Sequence, residues 1–206
     1  MQRRPTVAVI GAGFSGALTA LRLLEMKDGP CVRLVERRAR FGQGAAYSTT
    51  SPQHLLNVRA ANMSALPEAP SHFLEWLERN GETDQAHTFV TRACYGDYLQ
   101  GMLRSVAETA RAAGRLMLEA DEVVALHRRG GRWRLELDMG RGFEADAVVL
   151  ALGNLPPHAP PSLTPEAARS PAYAPEPWSL DPAQAPETGT VVLLGTGLTM
   201  VDVALT

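Results

Sequence analysis

The chain has 206 residues, with 20 Lys and Arg against 22 Asp and Glu, a net charge of -2 and a pI near 6.2. That balance leaves no basic footprint for nucleic acid, no apolar run nears the roughly 20 residues that span a bilayer, and the N-terminal arginines lead into no secretory cleavage pattern, so a cytoplasmic globular protein without nucleic-acid or membrane partners is expected. Two distant cysteines, Cys31 and Cys94, exclude a disulfide framework or dithiol centre, and five histidines without ligand spacing give no reason to expect a metal.

Residues 7–10, Val-Ala-Val-Ile, read as a buried parallel strand. They run into Gly11, Ala12, Gly13, Phe14, Ser15 and Gly16, the G-x-G-x-x-G spacing. Gly11 permits the tight turn, Gly13 lets the backbone approach a pyrophosphate, and Gly16 lets the helix pack close to the strand. The helix opening there, residues 15–27, carries an apolar stripe of Ala17, Leu18, Leu21 and Leu24 and is stopped by Gly29 and Pro30. Its N-terminus offers unpaired N–H groups and a positive dipole end to phosphates. A second apolar strand, 32–35, ends on Glu36, twenty positions beyond Gly16, where a carboxylate accepts hydrogen bonds from ribose hydroxyls. Strand, turn, helix and acid in this order indicate a dinucleotide-binding βαβ unit.

Residues 37–70 are irregular and rich in Gly, Ser, Asn and Pro, as functional or mobile loops are. Ser71 reads as the N-cap of a short helix, 72–79, closed by Asn80 and Gly81, with Phe73 and Trp76 as core packing. A longer helix, 95–113, repeats Leu99, Met102, Leu103 and Val106 at helical spacing and stops at Gly114. Strands follow at 116–119, 121–126 and 133–137, with glycine turns at 130–131 and 140–142. The almost wholly apolar run 145–152 reads as a strand buried on both faces. The pattern is a parallel sheet with an antiparallel meander inserted as a crossover. Residues 155–188 are dense in Pro and Ala and read as a connector, with Trp178 as a surface anchor. The opening pattern then recurs: the strand-like run 191–194 leads into Gly195, Gly197 and Thr199, with Asp202 soon after and Met200 in the third glycine's place. A lone strand and part of a helix cannot bury their own apolar faces, so the chain is expected to be the front part of a longer protein or a truncated product.

Two such openings in succession resemble flavoproteins with two dinucleotide-binding domains, the first for FAD and the second for NAD(P)H. The segment 143–154 is similar to the ATG-type motif these proteins carry after the meander, with Leu152 in the usual threonine's place and Gly153 beside it. The runs 41–48, 54–58, 62–67, 95–99 and 195–202 resemble one bacterial FAD/NAD(P)-binding family that includes FAD-dependent urate hydroxylases and aspartate N-monooxygenases. The resemblance implies an α/β fold: a Rossmann-like FAD-binding domain over 1–154, incomplete, a connector over 155–188, and the start of an NAD(P)-binding domain over 189–206. It also implies a flavin monooxygenase, in which NAD(P)H reduces the flavin, the flavin takes up O2 and a small-molecule substrate is hydroxylated.

The cofactor set that follows is Gly11, Gly13, Phe14, Ser15 and Gly16 for the FAD diphosphate, Glu36 for its ribose, Arg37 over the adenine or simply solvated, Gly42 and Gly44 for a loop close to the flavin, and Gly153 of the ATG-type motif. Gly195, Gly197 and Thr199 would receive the NAD(P)H diphosphate. Asn57 lies in a stretch similar to the class B monooxygenase segment whose asparagine holds the flavin peroxide; an amide donates there without carrying charge, although a loop-structuring asparagine fits the same position. Arg59 would hold an anionic substrate or a cofactor phosphate. Two other readings stay open: an electron-transfer reductase of the same architecture, and a non-catalytic nucleotide-binding fragment that takes FAD weakly and turns over no NAD(P)H.

Overall fold

The structure, a computed structural model, describes residues 3–155, 158–176 and 188–205. It divides into two units, one ending at Gly153 and one starting at Asn154. In the first unit, four apolar runs form a parallel sheet in the order β3-β2-β1-β7, with β1 at Thr6–Ile10, β2 at Cys31–Val35, β3 at Leu116–Glu119 and β7 at Ala147–Leu150. The strand period of two sends alternate side chains to opposite faces. Val9, Val32 and Leu34 meet the helices α1 (Phe14–Glu25) and α4 (Arg92–Ala112). Ala8, Ile10 and Val35 meet Leu135, Leu137, Phe143 and Ala145 of an antiparallel sheet in the order β4-β5-β6, formed by Val123–Arg129, Arg132–Leu137 and Gly142–Ala145. The layers are therefore helix, parallel sheet and antiparallel sheet. A further core joins the other side of α4 to α3 (His72–Arg79) and the segment before it, through Leu56, Phe73, Leu77, Tyr95 and Tyr98.

This is the α/β architecture expected from the sequence, with several local differences. The helix expected over 15–27 ends at Glu25, because Met26 turns extended and Gly29 folds back to donate to the Met26 carbonyl. Ser71 stands at the N-cap position of α3 without capping it; its hydroxyl donates to Glu75 instead. Helix α4 begins three residues earlier than expected because Thr91 accepts from the Cys94 N–H and caps it. The loop 37–70 contains a short helix, α2 (Gly44–Tyr47), and a single 3-10 turn at Ala60–Asn62.

The strand expected over 121–126 lies further on, as β4, because the buried Asp121 carboxylate accepts from Glu122 and Met139 N–H groups and holds the chain in a turn. Strand β6 was not foreseen. The run 145–152, expected to be buried on both faces, is the shorter β7; it pairs only with β1 among the described residues, which leaves Leu150 59% and Leu152 58% exposed.

In the second unit, Thr164 caps a short helix, α5 (Pro165–Ala168), and α6 (Leu198–Leu205) follows the second glycine pair. Residues 191–194, expected as a strand, form none, and Val192 is 72% exposed. A strand needs a partner for its N–H and C=O groups, and the described residues supply none. Trp178 lies outside the described residues.

Candidate functional site

The glycine-rich turn joins the C-terminal end of β1 to α1, where open α/β sheets bind ligands. Gly11 has φ +92°, and a Cβ there would fall onto the Ala151 carbonyl after β7. A Cβ on Gly16 would fall onto the Gly11 carbonyl oxygen and within 3.2 Å of Ala151 Cβ. Both positions therefore demand glycine for packing alone. Gly13, the α1 N-cap, brings no side chain to the first-turn N–H groups, and Phe14 and Ser15 beside it are exposed. The end of α1 thus keeps uncapped donors and the positive dipole pole at the surface.

Glu36, just beyond β2, is half-buried and folds back onto the same turn. Its Oε2 accepts from the Ala12 N–H at 2.9 Å and its Oε1 from the Arg38 N–H at 3.1 Å. A carboxylate offers about four acceptor positions, so these two bonds fix it while leaving capacity for hydroxyl donors. Arg37 is exposed and pairs with Glu122 at 3.4 Å.

The loop glycines make close approaches to the protein itself. Gly42 donates to the Ala12 carbonyl at 2.7 Å and has φ +102°, and a Cβ on it would lie 3.2 Å from Gln100. A Cβ on Gly44 would lie 2.8 Å from the Gly13 Cα, and one on Gly13 would lie 3.3 Å from the Gly44 Cα. Bare backbone therefore meets bare backbone where the second glycine of the turn sits. On the far side, Gly96 of α4 lies against the Tyr47 carbonyl with no room for a Cβ. The α2 segment is held between the turn and α4. Phe14 completes the clamp, with ring centroids 6.4 Å from both Tyr47 and Tyr95. Burial pushes the Tyr95 phenol well above its ordinary range, reinforced by Tyr47 and Tyr98; burial raises Tyr47 as well. These rings stay neutral at physiological pH. Gly96 was missed in the sequence, although an isolated glycine inside a helical pattern is the signal of such an approach.

Asn57 and Arg59 are both exposed, Asn57 in a bend and Arg59 at the start of the 3-10 turn. The segment before them is pinned, since Leu56 donates to the Val90 carbonyl and Arg92 donates to the His54 carbonyl. Gly153 has φ +69° and open space around it. In the second unit, Gly195 (φ +124°) and Gly197 are exposed at the start of α6, and Thr199 is partly buried in its first turn. Among the described residues, no helix is long and apolar enough to cross a membrane.

The profile of the FAD-NAD(P)-binding family matches residues 8–155, the stretch that carries this turn, Glu36 and both sheets. The chain belongs to that family. As an FAD-NAD(P)-binding chain it is similar to uncharacterized protein YdhS of Escherichia coli (strain K12), at 24% identity over 213 residues that cover 97% of this chain and 38% of the relative. The chain therefore spans well under half the length of that curated relative. Among solved structures it shares its fold with cyclohexanone monooxygenase in an open form, with a TM-score of 0.51, 20% identity, and 79% of this chain matched to 29% of the other. The closed form gives a TM-score of 0.50 at the same identity, with 28% of the other chain covered.

Proposed function

We propose that this chain supplies the FAD site of an NAD(P)H-using flavin oxidoreductase, and that the reaction is hydroxylation of a small molecule, of the kind carried out by urate hydroxylases and aspartate N-monooxygenases. The observation that carries the reading is the uncapped N-terminus of α1 with Glu36 folded against the same turn. The fit is good on two counts: Gly13 leaves the first-turn donors without an internal acceptor from its own side chain, and Glu36 retains acceptor capacity after binding Ala12 and Arg38. The fold shared with cyclohexanone monooxygenase supports the monooxygenase choice.

When bound, FAD supplies the redox chemistry, hydride acceptance and oxygen activation. The chain's own residues do the rest. The N–H groups of the first turn of α1, those of Phe14 and Ser15 among them, would hold the diphosphate. Glu36 accepts from the ribose hydroxyls. Gly42 and Gly44 would let their loop come close to the flavin, Asn57 would offer an uncharged amide donor near it, and Arg59 would hold an anionic group. Gly195, Gly197 and Thr199 would receive the nicotinamide dinucleotide.

The flavin absorbance spectrum of the purified chain, recorded before and after adding NADPH, tests this, with oxygen uptake in the presence of small-molecule substrates as the second readout. Retained flavin with a shifted spectrum supports the cofactor assignment, and substrate-dependent oxygen uptake supports hydroxylation. Failure to bind FAD at all would sink the reading. Glu36→Gln removes the charge that strengthens the ribose hydrogen bonds and should weaken FAD binding about tenfold, an effect of roughly 1.5 kcal/mol; flavin fluorescence titration measures it.

A further inference from the structure

At the opposite end of the parallel sheet, where its strands begin, lies a cleft of about 260 Å³. Thr6 and Cys31, the first residues of β1 and β2, line it. The strands are five residues long, which separates this cleft from the glycine-rich turn by roughly 16 Å along the sheet. It is a different place from the dinucleotide site.

Four arginines line the cleft: Arg3, Arg33, Arg115 and Arg132. Arg33 pairs with Glu119 and lies 3.7 Å over the Phe143 ring. Arg132 pairs with Glu144, which also lines the cleft, and with Asp146 at 3.1 Å. Arg3 shares Asp146 at 2.7 Å. Arg115 has no carboxylate partner among the described residues; it donates to the carbonyls of Leu24 at 3.0 Å, Leu23 at 3.1 Å and Pro30 at 3.5 Å. Four guanidinium groups thus face three carboxylates and retain a positive surplus.

We propose that this cleft is a second ligand site, which takes a small phosphate-type oxyanion, free or as the monoester of a short alcohol. Guanidinium forks match the oxygen geometry of such an anion, and the four arginines outnumber the carboxylates paired with them. The volume, just under the range of pockets that enclose drug-sized ligands, is ample for a group of phosphate size.

Cys31 provides the readout, being half-buried at the cleft. The full chain is alkylated with iodoacetamide at pH 7.5 and constant ionic strength, and the Cys31 and Cys94 peptides are quantified by mass spectrometry. Cys94 serves as the internal reference, since burial and the charges of Asp97 and Glu82 push its thiol up to about 11. Inorganic phosphate or glycerol 3-phosphate at millimolar concentration, replacing chloride, should slow Cys31 labelling at least threefold and leave Cys94 unchanged. Protection by either compound supports the site and distinguishes a free anion from a monoester. Arg3→Ala, at an exposed residue, and Arg115→Lys, which keeps the charge but loses the planar fork, should each reduce the protection. The proposal fails if chloride protects equally, if both cysteines slow together, if neither anion protects, or if protection survives in both variants.

Discussion

At the scale of single residues, the turn is governed by what cannot be added to it. Gly16 has the Gly11 carbonyl where a methyl group would go and Ala151 Cβ within 3.2 Å of that point. Gly16→Ala should therefore lower stability by about 2 kcal/mol, the typical cost of overpacking a tight site, and urea unfolding followed by circular dichroism measures it. Asp146 shows the reverse case, a side chain held by many donors. Its carboxyl sits below the usual carboxylate range, first because of the Thr6 N–H at 2.7 Å and then because of Arg3 and Arg132. A depressed carboxylate pKa contributes stability that is complete above the unfolded value, near 4, and is lost as pH falls through the lower folded value. Asp146→Asn should thus be less stable than the parent at pH 7, with the difference shrinking below about pH 4; thermal melts across that range check it.

At the scale of elements, the caps separate two residues that look alike in sequence. Thr91 accepts from the Cys94 N–H, whereas Ser71 makes no cap bond. Thr91→Ala should cost about 1 kcal/mol and Ser71→Ala much less than that, as read from urea midpoints. The same pair explains what the sequence could and could not disclose. The βαβ unit was legible because its signals are local: an apolar run, three glycines at fixed spacing and an acid at the end of the next strand. Ser71 misled because a cap depends on backbone angles, and here the residue is already in the helical region. Strand β6 was illegible because its residues run directly into the apolar run of β7, so Gly142–Ala145 read as the start of that strand's approach rather than as a strand of its own. The clamp of α2 between Gly13 and Gly96 lay beyond a sequence reading because its partners are distant in the chain and meet only through tertiary packing. Phe14 was legible as part of the spacing, yet its stacking on Tyr95 was not.

At the scale of the whole molecule, the apolar cores among the described residues all lie within residues 7–151. A chain cut after Gly153 should therefore retain the far-ultraviolet circular dichroism of the first unit and unfold within about 0.5 kcal/mol of the parent, the range of changes made away from packed features. A large drop would show that the second unit contributes to that fold. The position of β1 also has a consequence for timing. β1 lies inside the sheet with β2 on one side and β7 on the other, so the first strand of this unit is completed by the last of its seven described strands. The Thr6–Asp146 bond closes a span of 140 positions. Contacts so far apart slow folding, because chain entropy is lost before they form. During synthesis one flank of β1 must wait, open, until nearly the entire first unit has been made.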